Sequence, residues 1–342
     1  RNANGTGPFV LKTREPDVKT VIVTNSNWWG KHEGAINEVV YRPIKQNATR
    51  MAALVTGEID FVLDPPVEDI ERLKQNKAIR ILEGNENRTI FLNYDQKRDE
   101  LLYSNVKGKN PFKDIKVRQA MAHAIDADAI RTSVMRGQAV TSMSMIAPQV
   151  RGYTKDVEKR WPLDLAKAKK LMAEAGYPNG FEVTLDCTNN RYINDERICI
   201  ALAGMWEKIK VKVRVNAMPK VTYFPKQEKM DTSMYMLGWG GSITDAETTF
   251  TQIYRNRGTG GIGEYNRGNF KDDELDAIVA ASSKEPDPAK RQALIKKALL
   301  RHNEQVHHIP LHRQFIPWAA RKNVTVVHRP DNWLEWQWVT VK

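Results

Sequence analysis

The sequence predicts an α/β fold in two parts, and three observations carry that prediction. At 342 residues the chain is long enough for two domains, each with its own core. The opening section runs strand, helix, strand. The β-branched stretches Thr20-Val-Ile-Val-Thr24 and Glu38-Val-Val-Tyr41 precede a helix over 49–56 and a returning strand over 59–63. The longer middle section places strands near 181–186, 211–216 and 233–238 between helical stretches. Such alternation predicts layered α/β structure, with parallel pairing in the opening section.

Gly57 closes the helix over 49–56, and Asp64-Pro-Pro66 ends the strand after it and leads into a helix over 67–75. The strand Thr89-Ile-Phe-Leu-Asn93 carries the chain into the second part. There Pro111 and Phe112 close a loop, and Asp114 is placed to cap the next helix. Ile115, Val117, Ala120, Met121, Ala124 and Ile125 then recur at roughly helical spacing, predicting a helix over 114–136. Further helices are expected near 163–175, 194–210, 272–283 and 288–306. Lys210-Val-Lys-Val-Arg-Val215 alternates charged and apolar residues, as a strand with one wet face does. The glycine run 258–263 reads as a loop, without the preceding strand or the following Lys-Ser/Thr of a phosphate cradle. Asp272-Asp-Glu274 sits at a helix start, where acidic groups favour the dipole. Phe315, Trp318, Trp333, Trp336 and Trp338 in the tail read as core and strand contacts.

Composition removes several function classes. Hydrophobic content of 41% and charged content of 27% suit a globular chain, and no apolar run is long enough to cross a bilayer. Arg1-Asn-Ala-Asn-Gly-Thr-Gly7 lacks the apolar centre of a signal peptide, so a cytosolic chain or a trimmed exported one is expected. The net charge of +12 is dispersed, as where Lys167, Lys169 and Lys170 lie near Glu174, and no nucleic-acid-binding module accompanies it. A nucleic-acid partner is therefore not expected. Cys187 and Cys199 flank a polar loop, and a disulfide or two buried thiols both fit; redox chemistry is not indicated without a Cys-x-x-Cys pair. His302, His307, His308 and His312 could suggest a metal, but Ile309-Pro310 breaks the helical spacing that ligation would use, so a structural role is expected. No Gly-x-Ser-x-Gly, His-Glu-x-x-His or strand-borne Gly-x-Gly-x-x-Gly occurs, so neither an enzyme nor a cofactor is expected.

Several segments carry a family resemblance. They are Gly5-Thr-Gly-Pro-Phe9, Asn25-Ser-Asn-Trp-Trp-Gly30, the helix–Gly–strand unit Thr49 to Asp60, Asn110 to Asp126, Leu165 to Phe181 with its Ala-Gly-Tyr-Pro, and Met236-Leu-Gly-Trp-Gly240. In this order over most of the chain, they resemble the family 5 extracellular solute-binding proteins, the peptide- and nickel-type receptors of bacterial ABC importers. The resemblance implies a two-lobed periplasmic-binding-protein-like fold (class II) with lobes joined by crossing strands. Residues 1–96 with 316–342 would form the first lobe and 97–315 the second, with ligand between them. It also implies that the first lobe lacks its N-terminal part, that Trp28 and Trp29 are core, that the location is periplasmic, and that the protein is a monomer delivering ligand to an inner-membrane permease.

Two segments are the expected ligand contacts. Trp239, Gly240, Gly241, Ser242 and Asp245 follow a strand end, where glycines admit close approach and the indole offers a flat face. Peptide-binding relatives commonly place Asp three residues after this Trp to hold an α-ammonium; here the position is Ser242, which supplies no countercharge, and Asp245 is the remaining candidate. In the loop 189–196, Arg191 suits a carboxylate or phosphate, Tyr192 can stack or donate, and Asn194 can donate or accept. A tight turn with a packed Trp, a helix cap at Asn194 or Asp195, and an Arg191–Glu196 pair are the structural alternatives. The expected ligand is a small polar organic solute or short peptide. A nickel or metallophore ligand, and a fragment with an incomplete cleft, are the other readings.

Overall fold

The structure, a computed structural model, describes residues 5–240 and 244–342. It divides into two compact units, residues up to Asn85 with Phe315–Lys342, and Glu86–Gln314. The chain passes from one to the other within the strands Ile79–Tyr94 and Ile309–Arg321.

In the first unit, strands Phe9–Glu15, Lys19–Thr24 and Glu38–Tyr41 form an antiparallel sheet in which Leu11 faces Ile22 and Val21 faces Val40. The helix Asn47–Thr56 buries Met51, Ala53 and Leu54 and stops at Gly57, whose φ of 84° lies in the left-handed region. The strand Phe61–Leu63 pairs antiparallel with Trp318–Ala320. The expected parallel pairing is thus corrected: the helix is not a crossover between neighbouring strands, and the tail supplies the partner. Along that tail strand Ile316, Trp318 and Ala320 enter one core and Ala319 another, the period-2 alternation of a pleated strand. Trp29 is 84% exposed and Trp333 71% exposed, so neither is core; Trp28 is half-buried against His32, with ring centroids 4.9 Å apart.

The second unit is built on a mixed sheet. Thr89–Tyr94 pairs antiparallel with Met234–Trp239, which pairs parallel with Glu182–Thr188, itself parallel to Lys212–Met218. Alternate side chains feed two cores. Ile90, Leu92, Met234 and Met236 pack with Val117, Leu202 and Trp206, while Phe91, Tyr235 and Leu237 pack with Phe250, Leu275 and Leu299. Burial on both faces explains why these strands read as unbroken apolar runs. Asp114 caps Ile115–His123 by accepting from the Lys116 N–H at 2.8 Å. The helix ends at His123, short of the expected 136, because Asp126 starts a new turn by accepting from the Ala129 N–H. A helix over Lys220–Glu228 appears where the sequence indicated none; it carries Pro225 inside it.

Cys187, at the end of Glu182–Thr188, and Cys199, in the helix Asp195–Glu207, form a disulfide across a separation of 12 residues. Both cysteines are fully buried. Closing a loop of this length restricts the unfolded chain by about 3 kcal/mol. The double variant C187A/C199A should therefore lose roughly that much stability in urea unfolding. An unchanged midpoint would contradict the expectation.

Candidate functional site

Asp195 shapes the loop 189–196. Its buried carboxylate accepts from the Thr188 hydroxyl at 2.7 Å and from the backbone N–H groups of Arg191 and Tyr192 at 3.0 and 3.1 Å, with Glu196 N–H on its other oxygen. Four donors on one carboxylate fix the conformation of the loop. Asn194 sits at the N-cap with φ 54°, but its side chain donates to the Val134 carbonyl at 2.8 Å instead of capping. Asn194 thus ties the loop to the turn at Ile130–Val134. Arg191 is exposed, with its guanidinium 5.0 Å from the centre of the Tyr192 ring.

Trp239 ends the strand Met234–Trp239, half-buried, with its indole N–H donating to the Thr249 hydroxyl at 3.0 Å and its ring 4.9 Å from Tyr265. The two predicted segments meet here. The Tyr192 hydroxyl lies 3.5 Å from the Gly238 carbonyl, and its ring fills the space a side chain at 238 would need: a Cβ there would come within 2.6 Å of Tyr192 Cε1. Burial pushes the Tyr192 phenol pKa up, so it stays protonated. Arg88 joins them from the neighbouring strand. Its guanidinium lies 5.9 Å from the Tyr192 ring centre, its backbone lies within 3.2 Å of where a Cβ on Gly240 would stand, and its Nε donates to Glu86 at 2.8 Å. Gly241 and Ser242 lie outside the described residues.

Asp245 is occupied. Arg291 holds it through two hydrogen bonds of 2.7 and 3.0 Å, and these keep its carboxyl below the usual range. It also accepts from the Glu247 N–H, so it anchors the turn after the strand instead of presenting a free carboxylate. His302, His307, His308 and His312 are buried. His302 bonds His308 at 2.7 Å, and His307 bonds Asp272 at 3.0 Å. Among the described residues no group of His, Cys, Asp and Glu is arranged to hold a metal ion. A polar pocket of about 360 Å³ is lined by Lys113, Arg118, Asp272 and Arg301, and a pocket of about 540 Å³ by Ala52, Val55, Pro66 and Arg72. Neither includes a predicted contact residue. The sequence reading missed Arg88, Thr249 and Tyr265. Arg88 had a faint signal, a charged residue directly before an apolar strand; the other two had none.

Residues 1–261 match the model of the bacterial extracellular solute-binding proteins, family 5 Middle, a span that contains Arg88, Arg191, Tyr192 and Trp239. The chain belongs to this family. Similar proteins include heme-binding protein A of Haemophilus influenzae, 27% identical over 90% of this chain and 54% of the relative. Another is the glutathione-binding protein GsiB of Salmonella typhimurium, 26% identical over 94% and 61%. The chain thus spans a little over half the length of the curated relatives it matches. Among solved structures it is similar to a periplasmic binding protein, DppA, from Helicobacter pylori in complex with peptide STSA. That likeness has a TM-score of 0.85 at 24% identity, covering 98% of this chain and 63% of that one. A dipeptide binding protein from Pseudoalteromonas sp. SM9913 in complex with Met-Leu gives 0.84 at 23%, covering 99% and 64%. These likenesses show the fold, that of the two-lobed periplasmic binding proteins.

Proposed function

We propose that this chain is part of the extracytoplasmic receptor of an ABC importer, a periplasmic, monomeric protein that captures a small polar organic solute, peptide-like or otherwise, and delivers it to a membrane permease. The observation that carries this reading is the family match across residues 1–261, in a family of binding proteins. The glutathione- and heme-binding relatives and the peptide complexes of similarly folded proteins agree with an organic ligand. The contact surface would be the strand end at Trp239 and Gly240 with Tyr192 and Arg191 beside it. Binding, not turnover, is the activity such a surface supports: a half-buried indole and fixed donors can hold a solute without transforming it.

Native mass spectrometry of the purified chain tests this. A mass excess lost on denaturation would be a trapped solute. Trp239→Ala should weaken solute binding by about 2–4 kcal/mol, the range for a large anchoring side chain, and Trp239→Phe by less. Calorimetric titration of both variants, with unfolding curves to confirm that each is folded, reads the difference. Undiminished affinity in Trp239→Ala would move the site elsewhere.

A further inference from the structure

Two guanidiniums meet the start of the strand Ile309–Arg321, and only one of them has an acid. Both terminal nitrogens of Arg313 reach Glu158 Oε1, and the other oxygen accepts from the Met143 N–H and the Ser142 hydroxyl. Glu158 is thereby fully engaged. Arg160 Nη2 donates to the carbonyls of Ser142, Pro310 and Leu311, the last two at 2.7 and 2.8 Å, while its Nε and Nη1 donate to no described residue. Asp128, the other acid whose charge reaches Arg160, is exposed and paired with Arg131 at 3.1 Å. His312 directly follows the two carbonyls that Arg160 holds. It is fully buried opposite Thr141 of the strand Ala139–Thr141, and neither of its ring nitrogens has a partner among the described residues. Burial, and then the charge of Arg160, push its pKa down to about 3, so the ring is neutral and keeps one N–H to give.

We propose that Arg160 and His312 hold a small monoanion of the halide class, Arg160 through Nε and Nη1 and His312 through its ring N–H. The site shares no residue with the surface at Trp239. One carboxylate against two guanidiniums leaves one positive charge uncompensated where burial makes an unpaired charge costly. A water would satisfy the free donors and leave that charge in place. A metal cation is excluded by the donors themselves, which are N–H groups with no free carboxylate beside them. A single anion supplies the missing acceptor and the missing charge together, and charge-assisted bonds of this kind are the stronger ones. Arg160 is half-buried, which leaves an ion a way in. Bound there, the anion ties the segment from Ser142 to Arg160 onto the strand that carries His312, so anion binding and folding are linked.

Crystals of the chain soaked in sodium bromide test this through the anomalous scattering of bromine. A peak within hydrogen-bonding reach of both Arg160 and His312 is expected; no peak there, or one touching only a single member of the pair, overturns the site. In solution, urea unfolding at pH 7 compares sodium chloride with sodium gluconate at equal ionic strength, so that screening is the same in both. Chloride should raise the midpoint and gluconate should not. Above the dissociation constant, each tenfold rise in chloride should raise the folding equilibrium constant about tenfold, as binding of one ion to the folded state requires. Arg160→Met should lose this chloride response, whereas Lys290→Met, which removes an exposed cation, should keep it. No chloride response in the parent, or an equal one in Arg160→Met, overturns the proposal. Should Arg160→Met fail to fold, the bromide peak in the parent decides.

Discussion

Acidification from pH 7 to 5 is expected to destabilise the Glu86–Gln314 unit steeply, because it buries histidines that cannot be protonated in place. Asn93 fixes the chain of proton positions. Its Oδ1 accepts from the Tyr94 N–H at 2.7 Å, so its Nδ2 donates to His308 Nε2 at 2.8 Å. His308 must then carry its hydrogen on Nδ1 and donate it to His302 Nε2 at 2.7 Å. A proton added to either acceptor nitrogen would face another donor. Burial is the leading cause that holds the pKa values of His302, His307 and His308 below the ordinary imidazole range, and burial takes His312 down to about 3. The unfolded chain binds protons on His302, His308 and His312 near pH 6.5 and the folded one does not, so stability is complete above that pH and falls below it. Each histidine kept neutral contributes a loss of about 2 kcal/mol between pH 7 and 5. Asp272 does not offset this: burial alone would raise its pKa, but the bonds from His307 and Arg301 outweigh it and keep the carboxylate ionised across the window. Urea midpoints at pH 7, 6 and 5 read the slope, and His312→Gln should reduce it by about one proton. A flat profile would mean that these rings are not buried and neutral.

Glu158→Ala is the second large effect, with an expected loss of about 3–5 kcal/mol. The Arg313 side chain is 3% exposed, and both of its terminal nitrogens reach Glu158 Oε1. Glu158 Oε2 also accepts from the Met143 N–H at 2.6 Å. Close by, Arg160 donates to the carbonyls of Ser142, Pro310 and Leu311, with no carboxylate among the described residues within ion-pair distance, and burial lowers its pKa only to about 10, so it is charged at neutral pH. One carboxylate therefore serves a region holding two guanidiniums. Removing it leaves Arg313 buried and uncompensated, whereas the double variant Glu158→Leu with Arg313→Met should recover most of the stability, since an apolar pair has no charge to desolvate. Thermal and urea unfolding of the three proteins decide the matter. A small effect of Glu158→Ala would show that water reaches Arg313.

Much of the fold was legible because local signals agreed with the tertiary outcome. Leu165–Glu174 and Pro288–Glu304 fall almost where the sequence places helices, near 163–175 and 288–306, and Lys212–Met218 follows its alternating pattern. Failures occurred where a distant partner decided. Phe61–Leu63 looks like a returning parallel strand until Trp318–Ala320 pairs with it antiparallel. Lys220–Glu228 is helical despite Pro225, because Tyr223 is wholly buried and its hydroxyl donates to the Met236 carbonyl at 2.6 Å. The site divides the same way. The meeting of loop 189–196 with the strand end rests on side chains the sequence did single out. That Asp245 belongs to Arg291, and that Arg88 lies beside Tyr192, depends on separations no local pattern encodes.

The missing side chain at 238 has a consequence beyond this molecule. Its backbone is ordinary strand; the hydrogen is needed because the Tyr192 ring and Arg88 Cδ stand where a methyl group would be, 2.6 and 2.8 Å away. In homologous genes these positions should therefore drift as a set: alanine or serine at 238 should accompany a smaller residue at 192 or a changed one at 88. A lineage that made the exchange would inherit a differently shaped surface in front of its tryptophan.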